Sequence, residues 1–209
     1  MGSSLKKSGI ELVSKELMER YFEFWGRDCD AGWIFRVETD VGLQWRRYDI
    51  CDDCHAIDLS VLSAGIESDT KLQIRAGADV VYSDQEGLTL VSERTKQFIE
   101  KEQIAGIGFI PLPKNPFYVV HPVCFVDPTP IAFQELEFEE RCLKCEKSSA
   151  VYGQYTVDCF VPLKDENTFF GINGFNIGNR ICDLLCSESV AKRLKAAKLK
   201  GLVVKEIRA

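Results

Sequence analysis

The stretch LTLVSERTKQFIEKEQIAGIGFIPL, residues 88–112, predicts an α-helix that leads directly into a β-strand. Ser92 is a good N-cap because its hydroxyl can accept a hydrogen bond from a free amide of the first turn. Glu93 suits the positive N-terminus of a helix. Ile99 lies on an apolar helical face. Gly106 fits the helix exit, and the apolar run IGFIPL that follows is typical of a strand.

A second stretch, LLCSESVAKRLKAAKLKGLVVKEI at 184–207, repeats this pattern without a gap. Ser187 follows Ser92 by 95 residues, and Gly201 follows Gly106 by the same number. A C-x-x-C pair precedes each helix, and the two pairs lie 91 residues apart. Each stretch has the pattern of a capped helix, a glycine and an apolar strand, so we predict an α+β fold in which two pseudo-repeated halves pack into one domain.

The predicted domain covers residues 1–209, with half-repeats at approximately 45–112 and 134–207. An N-terminal helix and hairpin are expected at 10–44, where apolar residues first show helical spacing and then β-forming residues dominate. The segment PLPKNPFYVVHPVCFVDPTP, 111–130, contains six of the seven prolines. It therefore predicts a connector between the halves, with short strands at FYVV and VCFV.

The two C-x-x-C pairs, Cys51/Cys54 and Cys142/Cys145, offer four thiolates, which is the ligand set of a tetrahedral structural zinc site. Such a site would join the two halves. Three alternatives remain open: a redox-active pair, four buried thiols, and a metal site that is intact in relatives but degraded in this chain. Asp53 and its neighbour Asp52 lie inside the first pair, where negative charge disfavours the thiolate that redox chemistry needs. We therefore favour zinc.

The composition sets limits on compartment and partners. The chain has 209 residues, a net charge of -6 and a pI of about 5.1, which argues against a broad nucleic-acid surface and permits a basic protein partner. No apolar run reaches the ~20 residues of a membrane span, and no signal peptide is visible. The nine cysteines are an odd number, so we expect a reducing cytosol and no disulfide framework. Cys182 and Cys186 are interpreted as buried thiols.

The sequence motifs point away from an enzyme. There are only two histidines, which leaves few candidates for acid–base chemistry. The motifs G-x-S-x-G, H-E-x-x-H and the P-loop do not occur in the chain. We therefore expect a protein without catalytic residues.

The combined motifs resemble the double C-x-x-C-G motif proteins described from myxobacteria. The resemblance rests on the two C-x-x-C pairs, the AIDLS sequence after the first pair, the L-x-S-E-R helix and the terminal helix, glycine and strand. It spans roughly residues 20–207. The glycine that follows each pair in that family is replaced here by His55 and Glu146. The resemblance implies an immunity protein, which inhibits a cognate toxin exchanged between neighbouring bacterial cells.

Three functional hypotheses follow. The first is a cytoplasmic, non-enzymatic protein that neutralises a cognate toxin domain by covering its active site, with zinc as a structural cofactor at Cys51, Cys54, Cys142 and Cys145. The second is a zinc-ribbon-like nucleic-acid or transcription accessory protein, which would need a basic face near the metal. The third is a thiol oxidoreductase. The acidic residues at the C-x-x-C pairs favour the first.

Overall fold

The computed structural model describes residues 20–29, 36–39, 42–45, 51, 53, 72, 74, 76–83, 88–112, 114–132, 137–138, 142–144, 151–152, 156–160, 167–172 and 184–207. The N-terminal helix expected before residue 20 lies outside these ranges, as do Cys54, Cys145 and Cys182. In the described residues the chain forms thirteen strands, two α-helices and one 3₁₀ turn at Val157–Cys159. Neither α-helix has the length or the apolarity needed to cross a bilayer.

The elements occur in a fixed order along the chain. The strands of the first part are β1 (Tyr21–Cys29), β2 (Arg36–Thr39), β3 (Gly42–Trp45), β4 (Val80–Ser83), β5 (Leu88–Ser92), β6 (Ile107–Pro111), β7 (Phe117–Pro122) and β8 (Phe125–Val126). Those of the second part are β9 (Glu137–Phe138), β10 (Val151–Tyr152), β11 (Phe169–Ile172), β12 (Leu184–Ser187) and β13 (Leu202–Glu206). The helices are α1 (Glu93–Lys101) and α2 (Glu188–Ala196).

The prediction of an α+β fold is wrong, because the described residues are mostly β. Nine strands form one curled sheet in the order β6-β7-β5-β4-β1-β12-β11-β8, and β13 pairs with β1 beside this path. The segment 111–130, interpreted as a connector, supplies β7 and β8 to this sheet. Its prolines do not exclude it, because Pro111 and Pro122 sit at strand ends. Two smaller ladders, β2–β3 and β9–β10, lie outside the large sheet.

Both helix-and-strand segments have the local structure that their sequences predict. Ser92 caps α1 by accepting a hydrogen bond from the amide of Thr95, and Ser187 caps α2 in the same way from Val190. After each helix the chain passes through two residues with positive φ. These are Gln103 (54°) and Gly106 (78°) after α1, and Lys198 (52°) and Gly201 (86°) after α2. The two turns therefore follow the same path at an offset of 95 residues.

The strand pairing repeats as well, although the partner strands come from different parts of the chain. The strands before and after α1, β5 and β6, flank β7. The strands before and after α2, β12 and β13, flank β1, and all these pairs are antiparallel. The register is equivalent: Ser92 pairs with Phe117 and Ser187 with Tyr21, while Gly108 pairs with His121 and Val203 with Trp25. Strand β7 therefore has the same position between the strands around α1 as β1 has between the strands around α2.

The first strands of these groups match in the same way. Val80 of β4 pairs with Val91, and Phe169 of β11 pairs with Cys186, which follows Val91 by 95 residues. We call β4 to β8 with α1 the first unit, and β11 to β13 with α2 and β1 the second unit. The last residues of β1, Arg27–Cys29, run parallel to β4 of the first unit. Likewise β8 runs parallel to β11 of the second unit.

The core lies on both faces of the large sheet. Phe22, Phe24, Phe169 and Cys186 pack with the buried faces of α1 and α2 in one cluster. The alternate residues of the same strands, including Tyr21, Phe170 and Leu185, belong to a second cluster that also contains Phe160. The ring of Tyr21 lies edge-on to Phe160 with 5.2 Å between centroids. The period of two along each strand explains this division.

Asp79 links the two units through a buried carboxylate that is only 5% exposed. Its Oδ2 accepts hydrogen bonds from Arg94 Nη1 (2.8 Å) and from the amide of Lys200 (2.8 Å). Its Oδ1 accepts from the hydroxyl of Ser92 at 3.3 Å. One side chain therefore holds the N-cap of α1 and the turn that leads into β13, and the three donors stabilise the buried charge.

We expect Asp79→Ala to lower the free energy of unfolding by about 3 kcal/mol, because the Lys200 amide and the Ser92 hydroxyl lose a charged acceptor. The control is Arg94→Ala. The Arg94 side chain is 60% exposed, so its loss should lower stability by about 0.5 kcal/mol. Urea unfolding of both variants measures the difference. Equal destabilisation would mean that the ion pair, and not the link to Lys200, carries the effect.

Gly201→Ala should destabilise the protein by about 2 kcal/mol or more, because the residue has φ 86° and a Cβ would lie 2.2 Å from the carbonyl oxygen of Val80. Gly77→Ala is the matched control, with φ 76° and no atom nearer than Lys200 Nζ at 3.7 Å. It should lower stability by about 1 kcal/mol from backbone strain alone. Thermal unfolding compares the two, and a Gly201→Ala variant as stable as Gly77→Ala would rule out the close approach.

Candidate metal centre

The first cysteines of the two C-x-x-C pairs meet in the structure. Cys51 Sγ lies 3.5 Å from Cys142 Sγ, although 91 residues separate them in the chain. Both side chains are half-buried, and neither forms a disulfide. The distance is well above the ~2.05 Å of a disulfide. It is close to the roughly 3.8 Å between two sulfurs that each lie ~2.3 Å from one zinc ion in a tetrahedral site.

Asp53 adds an oxygen donor to this pair. A carboxylate oxygen of Asp53 and the sulfurs of Cys51 and Cys142 all lie within 4.8 Å of one another. Asp53 is exposed, so its carboxylate can approach an ion from the solvent side. The C-x-x-C pattern predicts no ligand role for Asp53, whose negative charge only disfavours a neighbouring thiolate. The position of Asp53 between Cys51 and Cys54 is the feature of the sequence that could have indicated a ligand role.

The donor chemistry of this group fits zinc. In the deprotonated forms that bind metal, two sulfurs and a carboxylate this close would repel one another, and a divalent cation would neutralise that repulsion. Zinc accepts sulfur ligands and carboxylate oxygen in the same shell. Cys54 and Cys145, the other two predicted ligands, lie outside the described residues. The four-cysteine site therefore stays a prediction, of which the structure brings together Cys51 and Cys142.

The buried thiol of Cys186 belongs to the core and not to this centre. Its exposed fraction is 0%, which confirms its interpretation as a buried thiol. Burial raises the pKa of Cys186 to about 12, so the thiol stays neutral at physiological pH. A neutral thiol is a poor metal ligand and a poor nucleophile. Val91 occupies the equivalent position in the first unit, which indicates that this position in the core needs an apolar side chain.

A concave surface of about 490 Å³ lies beside the N-terminus of α1, and its lining includes Leu72, Phe117, Arg94 and Asp79. The carboxylate of Asp79 is the buried polar group at this surface. Its oxygens are already bound by Arg94, Ser92 and the amide of Lys200. Asp79 thus serves the fold, and the cysteine cluster is the better candidate for a functional site.

Comparisons with known proteins add no support to the resemblance to the double C-x-x-C-G proteins, which therefore rests on the sequence motifs. No protein-family model matches the chain, and a search of curated proteins also found no match.

We expect the purified protein to contain about one zinc ion per chain, and Cys142→Ser/Cys145→Ser to remove it. The loss should lower the free energy of unfolding by up to about 4 kcal/mol, since the ion closes a loop of 91 residues. Elemental mass spectrometry and thermal unfolding measure the two effects.

Two further variants sharpen the zinc experiment. Cys186→Val copies the residue of the equivalent position and should keep both the metal and the stability. Asp53→Asn should also keep the metal if four cysteines complete the shell, and should lose it if the carboxylate is the ligand. Absence of metal from the unmodified protein purified without chelator would overturn the site.

Proposed function

We propose that this chain is a non-enzymatic binding protein that neutralises a cognate bacterial toxin by covering the toxin's active site, and that a structural zinc ion stabilises it. The observation that carries the proposal is the 3.5 Å approach of Cys51 Sγ to Cys142 Sγ. This approach supports the interpretation of both C-x-x-C pairs as parts of one site. It gives a physical role to the motif on which the resemblance to immunity proteins rests.

The position of the site in the chain suggests what zinc contributes. The whole first unit, from β4 to β8, lies between Cys51 and Cys142. An ion held by the two cysteines therefore closes the chain around that unit. A closed scaffold loses less conformational entropy when it binds a partner, so the binding surface is preorganised.

The charge and the cysteines agree with a protein partner in the cytosol. The net charge of -6 speeds the encounter with a basic toxin domain and repels nucleic acid at long range. Thiolate ligands persist in a reducing compartment, so we place the protein in the cytosol. The toxin class itself comes from the motif resemblance and is the part of the proposal that needs a direct test.

The test is binding to a toxin domain encoded beside the gene of this protein. We expect a stoichiometric complex in titration calorimetry and loss of toxin activity in its presence. The Cys142→Ser/Cys145→Ser variant should bind more weakly, because an unpinned scaffold must be ordered on binding.

Two results would contradict the proposal. One is a folded, zinc-containing protein that binds no such domain. The other is a gel shift with DNA or RNA that weakens steeply with salt, which would favour the nucleic-acid accessory protein.

A further inference from the structure

A shallow groove of about 410 Å³ lies between the end of helix α2 and strand β13. It combines an apolar floor with a basic rim. The floor residues are half-buried or buried, and the rim residues are exposed. The floor contains Leu199, Leu202 and Val204, and the rim contains Arg27, Lys195 and Lys198.

The rim cations differ from the other basic residues around α2. Lys192 pairs with Glu188 at 3.1 Å, and Arg193 pairs with Glu102 at 3.6 Å. By contrast, within the described part of the chain, Arg27, Lys195 and Lys198 form no ion pair with a carboxylate. Three positive charges that face one groove, and that form no ion pair with a described carboxylate, leave a local positive potential.

Glu206 is the carboxylate whose charge interacts with Lys195, but it is already engaged. Arg20 forms a bidentate hydrogen bond with Glu206, and this is the main reason that the pKa of Glu206 is lowered. Lys195 instead places its Nζ 4.8 Å from the centre of the Phe22 ring, which is a cation–π contact.

The internal equivalence of the two units shows that the fold does not require this basic rim. The positions that correspond to Lys195 and Lys198 in the first unit hold Glu100 and Gln103. Arg27, whose amide bonds the carbonyl of Gly201, corresponds to Val123, whose amide bonds the carbonyl of Gly106. The same backbone thus accepts acidic, neutral and apolar residues at these places.

We infer that the groove beside β13 is a docking site for an acidic, partly apolar segment of a protein partner. Carboxylates of the segment meet Arg27, Lys195 and Lys198, and its apolar side chains cover Leu199 and Leu202. A polynucleotide fits less well, because the apolar floor offers its phosphates no partner. The inference rests on the proposed function only in taking the partner to be a protein.

The probe is a fluorescent synthetic peptide with alternating glutamate and valine, measured by anisotropy against the full chain. The test variant is Arg27→Val/Lys195→Glu/Lys198→Gln, which introduces the residues that the first unit carries at the equivalent positions. We expect it to bind the peptide at least about tenfold more weakly than the unmodified protein. Binding to the unmodified protein should weaken with salt.

Controls separate the groove from general charge and from folding. Lys192→Gln removes a cation of the same helix that lies outside the groove, and it should leave the affinity within about twofold. Thermal unfolding of the triple variant verifies that it folds. A peptide with lysine in place of glutamate should not bind.

Three outcomes would overturn the inference. They are no binding of the acidic peptide, equal affinity for the unmodified protein and the triple variant, and tighter binding of oligo-dT than of the peptide. Because the probe needs no toxin domain, the outcome is independent of the toxin-binding test. Peptide binding without toxin binding would support the groove as a docking site and would exclude the toxin domain as the partner.

Discussion

The carboxylate of Asp79 is the contact on which the rest of the structure depends, because it joins the start of one unit to the helix exit of the other. It binds the Lys200 amide after α2 while it supports the Ser92 cap of α1. Asn167 performs the reciprocal task, since its carbonyl oxygen accepts from the amide of Ala105 and its side-chain amide donates to the carbonyl of Gln103. Each helix exit is therefore closed by the other unit, and neither unit satisfies its own turn alone.

Strand β1 extends this dependence to the N-terminal part of the chain. It completes the second unit by pairing with β12 and β13, and its last residues pair with β4 of the first unit. These partners lie far from β1 in sequence, so the sheet forms through long-range closure, which is slow and cooperative. The bend after β7 lets β8 make the matching parallel contact with β11. The two units exchange strands, and this exchange makes them one body.

The two candidate sites use this architecture in different ways. The sulfurs of Cys51 and Cys142 lie on either side of the first unit in the sequence, so a metal bound there would act on stability and preorganisation. The groove between α2 and β13, which we propose as a docking site, is built from the second unit and carries cations that the equivalent positions of the first unit lack. The two units share the same caps, turns and strand register. Other positions can therefore carry different side chains in each unit without disturbing the fold. Differences between equivalent positions are then the places where function can reside.

The sequence by itself determined the local units. Ser92, Ser187, Gly106 and Gly201 could be identified because capping and helix exit depend on residues within one turn. The sequence also named Cys51 and Cys142. It could not show that 111–130 joins the sheet, that β1 completes the second unit or that the fold is mostly β. Those features, and the approach of Asp53 to the two sulfurs, depend on pairing between distant segments, which only the tertiary structure decided because no local pattern encodes the partner of a strand.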